Sequence, residues 1–236
     1  MSNVDEIIQK SLESGSFSER QVQQLYEYER LLVETNKVMN LTSIVDHEGI
    51  WFRHFLDSYT VVQSLKEQPN ISLIDVGTGG GFPGMIIAIF RPDVTVTLMD
   101  ATKKKLVFLQ KVIDQLSLTN VRLLHGRAEE ISHSSSYRES FDYATTRAVS
   151  SLSTCLEICV GLVKVDGFII AMRGPQAPAE LKEVKNKLDL FSLSDPQIGE
   201  FANPHSGGES YVLSFRKNRP TNKNYPRSYA RIVSNK

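Results

Sequence analysis

Cysteine is almost missing from this chain, which has Cys155 and Cys159 alone among 236 residues. Their spacing puts them on one helix face, and no His or Cys cluster elsewhere adds ligands. A disulfide framework and a zinc site are therefore not expected, and buried core thiols are. Long apolar runs are missing too: the longest, Met85 to Phe90, cannot span a bilayer. The N-terminus, Met1-Ser2-Asn3-Val4-Asp5-Glu6, lacks the positive start and apolar segment of a signal peptide, so a cytoplasmic protein without membrane contact is expected. Net charge is absent as well, with 27 basic and 27 acidic residues. From Arg216 onward, however, acidic residues vanish while Arg216, Lys217, Arg219, Lys223, Arg227, Arg231 and Lys236 remain. A basic tail on an acidic body suits a protein that meets phosphate at one edge, and Tyr225 and Tyr229 add rings able to stack on exposed bases.

What is present organises the chain into three parts: a helical extension over 1–68, a core over 69–217 and the basic tail over 218–236. A short helix is expected near Val4 to Leu12. Ser18-Glu19-Arg20-Gln21 has the form of a capping box, and Val22, Leu25, Leu32 and Met39 follow at helical spacing. Phe52, Phe55, Leu56, Tyr59 and Val62 predict another helix within Asp46 to Leu65. Beyond Gln68-Pro69-Asn70 the period changes. Strands are expected at Ile71–Val76, Val94–Met99, Val121–Leu124, Tyr143–Thr146 and Phe168–Met172. Helices alternate with them at Gly84–Phe90, Lys103–Leu116 and Leu152–Leu162. Such alternation implies right-handed crossovers and a parallel, Rossmann-like sheet. After a charged helix around Ala179–Leu188, Phe201 and Tyr211–Phe215 read as closing strands joined through Asn203–Gly208 without a helix, hence antiparallel. The expected fold is α/β: a mostly parallel seven-stranded sheet with an antiparallel strand near one edge. No long heptad or large apolar helix face argues for an obligate dimer, so a monomer is expected.

The densest signal is Asp75-Val76-Gly77-Thr78-Gly79-Gly80-Gly81-Phe82-Pro83-Gly84, a glycine-rich turn directly after the first strand of the core. A turn so poor in Cβ atoms admits close approach of a bound molecule. A P-loop is excluded because Met85 stands where its lysine belongs. A dinucleotide frame from Gly77 finds Phe82 at its third position, and the frame Gly79, Gly81, Gly84 starts late. Asp75, Gly77, Gly79 and Gly81 do fill the Asp/Glu-x-Gly-x-Gly-x-Gly turn of S-adenosylmethionine-dependent methyltransferases. Asp75 would attract the cofactor's ammonium, directly or through water. Asp100, at the end of the second strand of the core, stands where a carboxylate accepts from ribose hydroxyls. Glu129, after the third strand, could meet the adenine edge. Arg147, after the fourth, cannot serve as a base but could bind a carboxylate or phosphate.

Two acceptor chemistries lack their motifs. No Asn/Asp-Pro-Pro-aromatic sequence marks methylation of an exocyclic amine, and neither cysteine sits where a pyrimidine nucleophile would. Ring nitrogens remain, among them N7 of guanine, whose lone pair needs orientation and charge complementarity more than a general base.

Asn40-Leu41-Thr42-Ser43-Ile44, His54-Phe55-Leu56-Asp57-Ser58, the Asp75–Gly84 run, Arg127-Ala128-Glu129, Thr146-Arg147-Ala148 and Tyr225-Pro226-Arg227 go further. Together they resemble the bacterial 16S rRNA guanine-N7 methyltransferase family, also called the glucose-inhibited division protein B family, over nearly the whole chain. The resemblance implies a class I S-adenosylmethionine-dependent methyltransferase fold. It also implies methyl transfer to N7 of a guanosine in the 530 loop of 16S rRNA, nucleotide 527 in the usual numbering. Gly77 and Phe82 would contact S-adenosyl-L-methionine, Ala128 and Glu129 would hold its adenine, and Arg147 would line the methyl-transfer end. Thr78 stands where many relatives have serine. Arg219, Lys223, Arg227 and Arg231 are the expected RNA contacts, on 16S rRNA or a small-subunit particle. A small-molecule methyltransferase, or a non-catalytic RNA-binding assembly protein of the same fold, is the alternative.

Overall fold

The computed structural model describes residues 3–203 and 208–234; linker positions 204–207 and Lys236 of the basic stretch lie outside them. Helix α1 (Asn3–Glu13) buries Val4 and Ile8. Helix α2 (Glu19–Asn36) starts at the expected capping box: the Ser18 hydroxyl accepts from the Gln21 N–H, and the Gln21 side chain accepts from the Ser18 N–H. Its Val22, Leu25, Tyr28, Leu31 and Leu32 form one buried stripe. The single helix expected within 46–65 is three pieces. Asp46 caps α3 (His47–Ile50), a π-helical turn spans Trp51–Leu56, and α4 (Asp57–Ser64) continues it. In the π turn the hydrogen-bond ladder slips by one residue, which hydrophobic spacing does not announce.

The sheet order is β3-β2-β1-β4-β5-β7-β6. Strands β1 (Ser72–Val76), β2 (Thr95–Asp100), β3 (Val121–His125), β4 (Phe141–Arg147) and β5 (Val163–Arg173) run parallel. Strand β7 (Gly208–Arg216) inserts antiparallel between β5 and the edge strand β6 (Gln197–Asn203). Helices α5 (Gly84–Phe90), α6 (Lys103–Leu116), α7 (Ala128–Ile131), α8 (Leu152–Val160) and α9 (Ala177–Val184) complete the crossovers. The chain winds from central β1 out to β3, then returns to β4, so the β1/β4 boundary is a topological switch where such sheets open a ligand crevice.

Two strands differ from expectation. β5 begins at Val163 rather than Phe168, because a bulge separates the pairs Phe141–Val163 and Tyr143–Phe168 and hides the alternation. β6 covers seven residues where only Phe201 was suggested; it is an edge strand with Ile198 exposed, so no buried face writes a period-two pattern.

Each sheet face carries its own core. On one, α1, α2, the π turn, α5 and α6 pack with Leu73, Val96 and Leu98. On the other, α8 and α9 pack with Ile74, Ile169 and Leu213, joined by Ile232 of α10 (Tyr229–Ser234). The basic stretch is therefore docked. Lys217 is fully buried and donates to Glu139 and to the Val160 and Val163 carbonyls. Arg138 donates to the carbonyls of Thr221 and Tyr225, and Arg227 forms a two-pronged pair with buried Glu157 of α8.

Candidate functional site: a crevice and a cavity at the carboxyl edge of the sheet

β1, β2, β3 and β4 end side by side, and the glycine turn leaves β1 at that edge. The N–H groups of Gly77 and Thr78 both donate to the Met99 carbonyl, tying the turn to β2. Gly77 holds φ +71°, and Gly81, at φ +103°, lies so close to Tyr28, Met85 and Leu109 that no Cβ fits. Asp75 lies beneath the turn. It is fully buried, with Oδ2 accepting from the Thr78 hydroxyl (2.6 Å) and the Gly84 N–H (3.0 Å), and Oδ1 from the Thr145 hydroxyl (3.1 Å). Its carboxylate braces the turn from beneath and spans to β4. Burial pushes its pKa up, against the pull of these donors.

Above the turn lies a crevice of about 180 Å³, lined by Val76, Gly77, Met99, Asp100, Gly126, Ala128, Glu129, Val149, Ile158 and Tyr229. Four sequence-derived candidates meet here: Gly77, Asp100, Ala128 and Glu129. Asp100 accepts from the N–H groups of Gly79 (3.0 Å) and Thr102 (2.8 Å), so Gly79 belongs to the site as the anchor of that carboxylate. A slot with apolar walls from Met99, Ala128 and Ile158, and carboxylates at its rim, has the chemistry of a nucleoside site: a flat base between the walls, hydroxyls on the acids. These residues fit S-adenosylmethionine. Tyr229 is a lining residue that the sequence placed among RNA contacts; its helix is six residues long and carries no strong helical signal.

Phe82 and Arg147 lie outside that crevice. The Phe82 ring turns away from it and stacks on His54 (4.6 Å, 18°) and Tyr28 (5.3 Å, 21°), with the Arg147 guanidinium 5.1 Å above it. Arg147 donates to the Arg53 carbonyl (3.0 Å) and to His54 Nδ1 (3.1 Å), with Asp57 at 3.7 Å. His54 Nδ1 thus sits 3.1 Å from both the Arg147 guanidinium, which only donates, and the Arg53 carbonyl, which only accepts, while Nε2 faces the Thr42 hydroxyl at 2.8 Å. Burial, reinforced by the Arg147 charge, pushes the His54 pKa down to about 3, and the ring is neutral. Thr42, His54, Asp57, Phe82 and Arg147 come from four separate motifs and form one cluster. Their meeting depends on the N-terminal helices folding over the turn, which no spacing within the chain reveals.

This cluster walls a second cavity of about 610 Å³, lined by Arg53, His54, Asp57, Arg147, Arg173, Glu180 and Tyr211 among others. The loop after β4 divides the two spaces: Val149 faces the crevice, Ala148 and Ser150 the cavity. Arg53 at the cavity is exposed and forms no ion pair among the described residues, a cation that sequence reading passed over inside an aromatic run.

The tail cations are unevenly free. Arg227 is held by Glu157 and Arg219 by Asp189 (2.6 Å), whereas Lys223 and Arg231 are exposed without an ion pair among the described residues. Both cysteines are buried, and burial raises both thiol pKa values, so neither is poised as a nucleophile. The described residues contain no group of three or more potential metal ligands, and no described helix is long and apolar enough to cross a membrane.

Comparison with known proteins bears on this geometry. A family model described as rRNA small subunit methyltransferase G matches residues 21–206. Ribosomal RNA small subunit methyltransferase G of Leuconostoc mesenteroides is 40% identical over 230 residues, covering 96% of this chain and 95% of that one. The protein of the same name from Alkaliphilus metalliredigens is 38% identical over 209 residues, covering 89% and 87%. Among solved structures, a SAM-dependent methyltransferase from Aquifex aeolicus superposes with TM-score 0.55 at 16% identity, covering 72% of this chain and 93% of its own. M. jannaschii TYW2 in complex with AdoMet superposes with TM-score 0.56 at 14% identity, covering 74% and 79%. At such identities these two show the shared fold.

Proposed function

The chain belongs to the rRNA small subunit methyltransferase G family, and from that premise we propose that it methylates N7 of a guanosine in the 530 loop of 16S rRNA, with S-adenosyl-L-methionine as donor. The observation that carries the proposal is the pairing of spaces: a crevice with apolar walls and carboxylates, and a charged cavity, parted by one loop after β4. Gly77, Asp100, Ala128 and Glu129 hold the cofactor in the crevice, with Gly79 fixing Asp100; the acceptor base enters the cavity. When bound, the cofactor supplies a sulfonium methyl that N7 takes up through its lone pair, the positive charge passing from sulfur to the purine.

The protein's own groups position and surround the reactants. None of them has to remove a proton, since N7 of neutral guanine carries none. The neutral His54 and the Thr42 hydroxyl hold Arg147 at the edge of the cavity, and Phe82 supports its face. Catalysis then rests on orientation and on the fields of fixed charges in a partly dry site. On the same reading, residues 1–68 are a helical extension that shapes the acceptor mouth, 69–217 the catalytic core, and 218–236 a basic tail. The protein acts as a cytoplasmic monomer without a metal. Arg53, Lys223 and Arg231 meet phosphate, with Arg219 and Arg227 contributing mainly to the fold.

The test is transfer of a labelled methyl group to small-subunit RNA that lacks the modification, followed by mapping. Label on a single guanine N7 in the 530 loop is expected. Folded, cofactor-binding protein that labels no guanine N7 overturns the proposal, and label on a metabolite would favour a small-molecule acceptor.

A further inference from the structure

Two carboxylates line the acceptor cavity, and their states differ. Glu180 is committed: Arg173 grips both of its oxygens, and its Oε1 also accepts from the Leu152 N–H at 3.1 Å. Asp57 is not. Its ion pair with Arg147 is long, 3.7 Å and beyond hydrogen-bond length, while the same guanidinium donates at closer range to the Arg53 carbonyl and His54. The Ser210 hydroxyl of β7 and the distant Arg147 guanidinium are the side-chain donors that act on Asp57. The carboxylate is mostly buried, its side chain 17% exposed, and lines the cavity. A carboxylate carries about four acceptor positions, so this one is short of donors where water is scarce. Burial also raises its pKa, the expected sign of an under-solvated anion, while Arg147 and Arg53 draw it back down.

We propose that Asp57 is the residue that recognises guanine, accepting hydrogen bonds from N1–H and the 2-amino group of the target base. This rests on the reading of the cavity as the acceptor site. Among the four RNA bases, guanine alone offers two adjacent donors on one edge, a match for two carboxylate oxygens. Adenine would turn the N1 lone pair toward the anion and be repelled. A purine gripped by that edge presents N7 at its far side. N7 methylation leaves positive charge on the ring and sharpens N1–H as a donor, so the Asp57 contact strengthens as the methyl group arrives, the condition for lowering a barrier rather than only tightening binding. Asp57 occupies the edge used in Watson–Crick pairing, so the guanosine must enter unpaired, extruded if it starts in a helix.

The experiment compares two RNA fragments carrying the target position as guanosine or as inosine, which lacks only the 2-amino group. Methyl transfer by the wild-type protein should fall roughly 10- to 100-fold on inosine, since a buried acceptor is then left unpaired. Asp57→Asn and Asp57→Ala should lose a comparable factor on guanosine, and their guanosine-to-inosine ratio should collapse toward one. Cofactor affinity by calorimetry should stay that of the wild type, which also checks folding. Wild-type protein indifferent to the 2-amino group, or variants that keep the wild-type ratio, would overturn the assignment and leave Asp57 as a support for Arg147. A second arm needs no activity: guanosine monophosphate should bind wild-type protein more tightly than inosine monophosphate in ligand-observed NMR, and Asp57→Asn should erase the difference. If no guanosine RNA is methylated, the proposed function fails, and this arm still decides Asp57; equal binding of the two nucleotides to wild-type protein rejects it.

Discussion

At Gly77 the backbone adopts φ +71°, and a Cβ would meet Val149 Cγ2 at 2.7 Å. Gly77→Asp therefore brings left-handed strain of about 1–2 kcal/mol together with a carboxylate beside Asp100 and Glu129. Cofactor affinity should drop at least about tenfold in calorimetry, and unchanged affinity would detach the turn from the cofactor. His54 makes a prediction of the opposite kind, read in stability. Its pKa is about 3 when folded and about 6.5 in an unfolded chain, so between those values the unfolded state binds the extra proton. Stability from His54 is complete above pH ~6.5 and is lost as pH falls below it, by up to about 1.4 kcal/mol per unit. His54→Asn should flatten the acid side of a denaturant-monitored pH profile; a profile as steep as wild type would show that His54 is protonated in the folded protein. The glycines and Asp100 were legible as site residues because turn chemistry is local. His54 was legible only as part of a family motif, since its partners Thr42, Phe82 and Arg147 are brought to it by packing.

The elements repeat this division. Capping box, amphipathic stripe and strand–turn–helix alternation are local, and β1, β2, α6 and the start of α2 lie within a residue of where the spacing puts them, although α2 ends at Asn36, short of Met39. The bulge in β5, the edge strand β6 and the π turn carry no local signature. The basic tail illustrates charge read without its partners. Composition sees unbroken positive charge, whereas Arg227 closes on Glu157, which is 1% exposed. Arg227→Ala should cost about 2–3 kcal/mol, somewhat under the range for a fully buried pair because Arg227 keeps some water. Combining Arg227→Met with Glu157→Leu should recover most of it. A loss below about 0.5 kcal/mol in urea unfolding would mean that the tail contributes little to the fold.

For the whole molecule, a net charge of zero conceals exposed cations without an ion pair among the described residues, three of them being Arg53 at the cavity and Lys223 and Arg231 on the tail. Replacing these three with Ala should lower the magnitude of the salt slope of RNA binding by about 2, at roughly 0.7 per single-strand phosphate contact, while cofactor affinity holds. An unchanged slope would place the RNA on another face. By itself the sequence determined the layered α/β architecture, the methyl donor and the strand ends that line the crevice. Those properties follow from periodicity, turn chemistry and residues a few positions apart. Tertiary structure alone decided that Asp75 braces the turn and that Phe82 and Arg147 cluster with His54 outside the crevice. It likewise paired Arg219 and Arg227 of the tail with acids and left Asp57 lining an open cavity. Each of these depends on distances between residues remote in the chain, and burial sets the strength of a charge or hydrogen bond only once the fold has placed its neighbours.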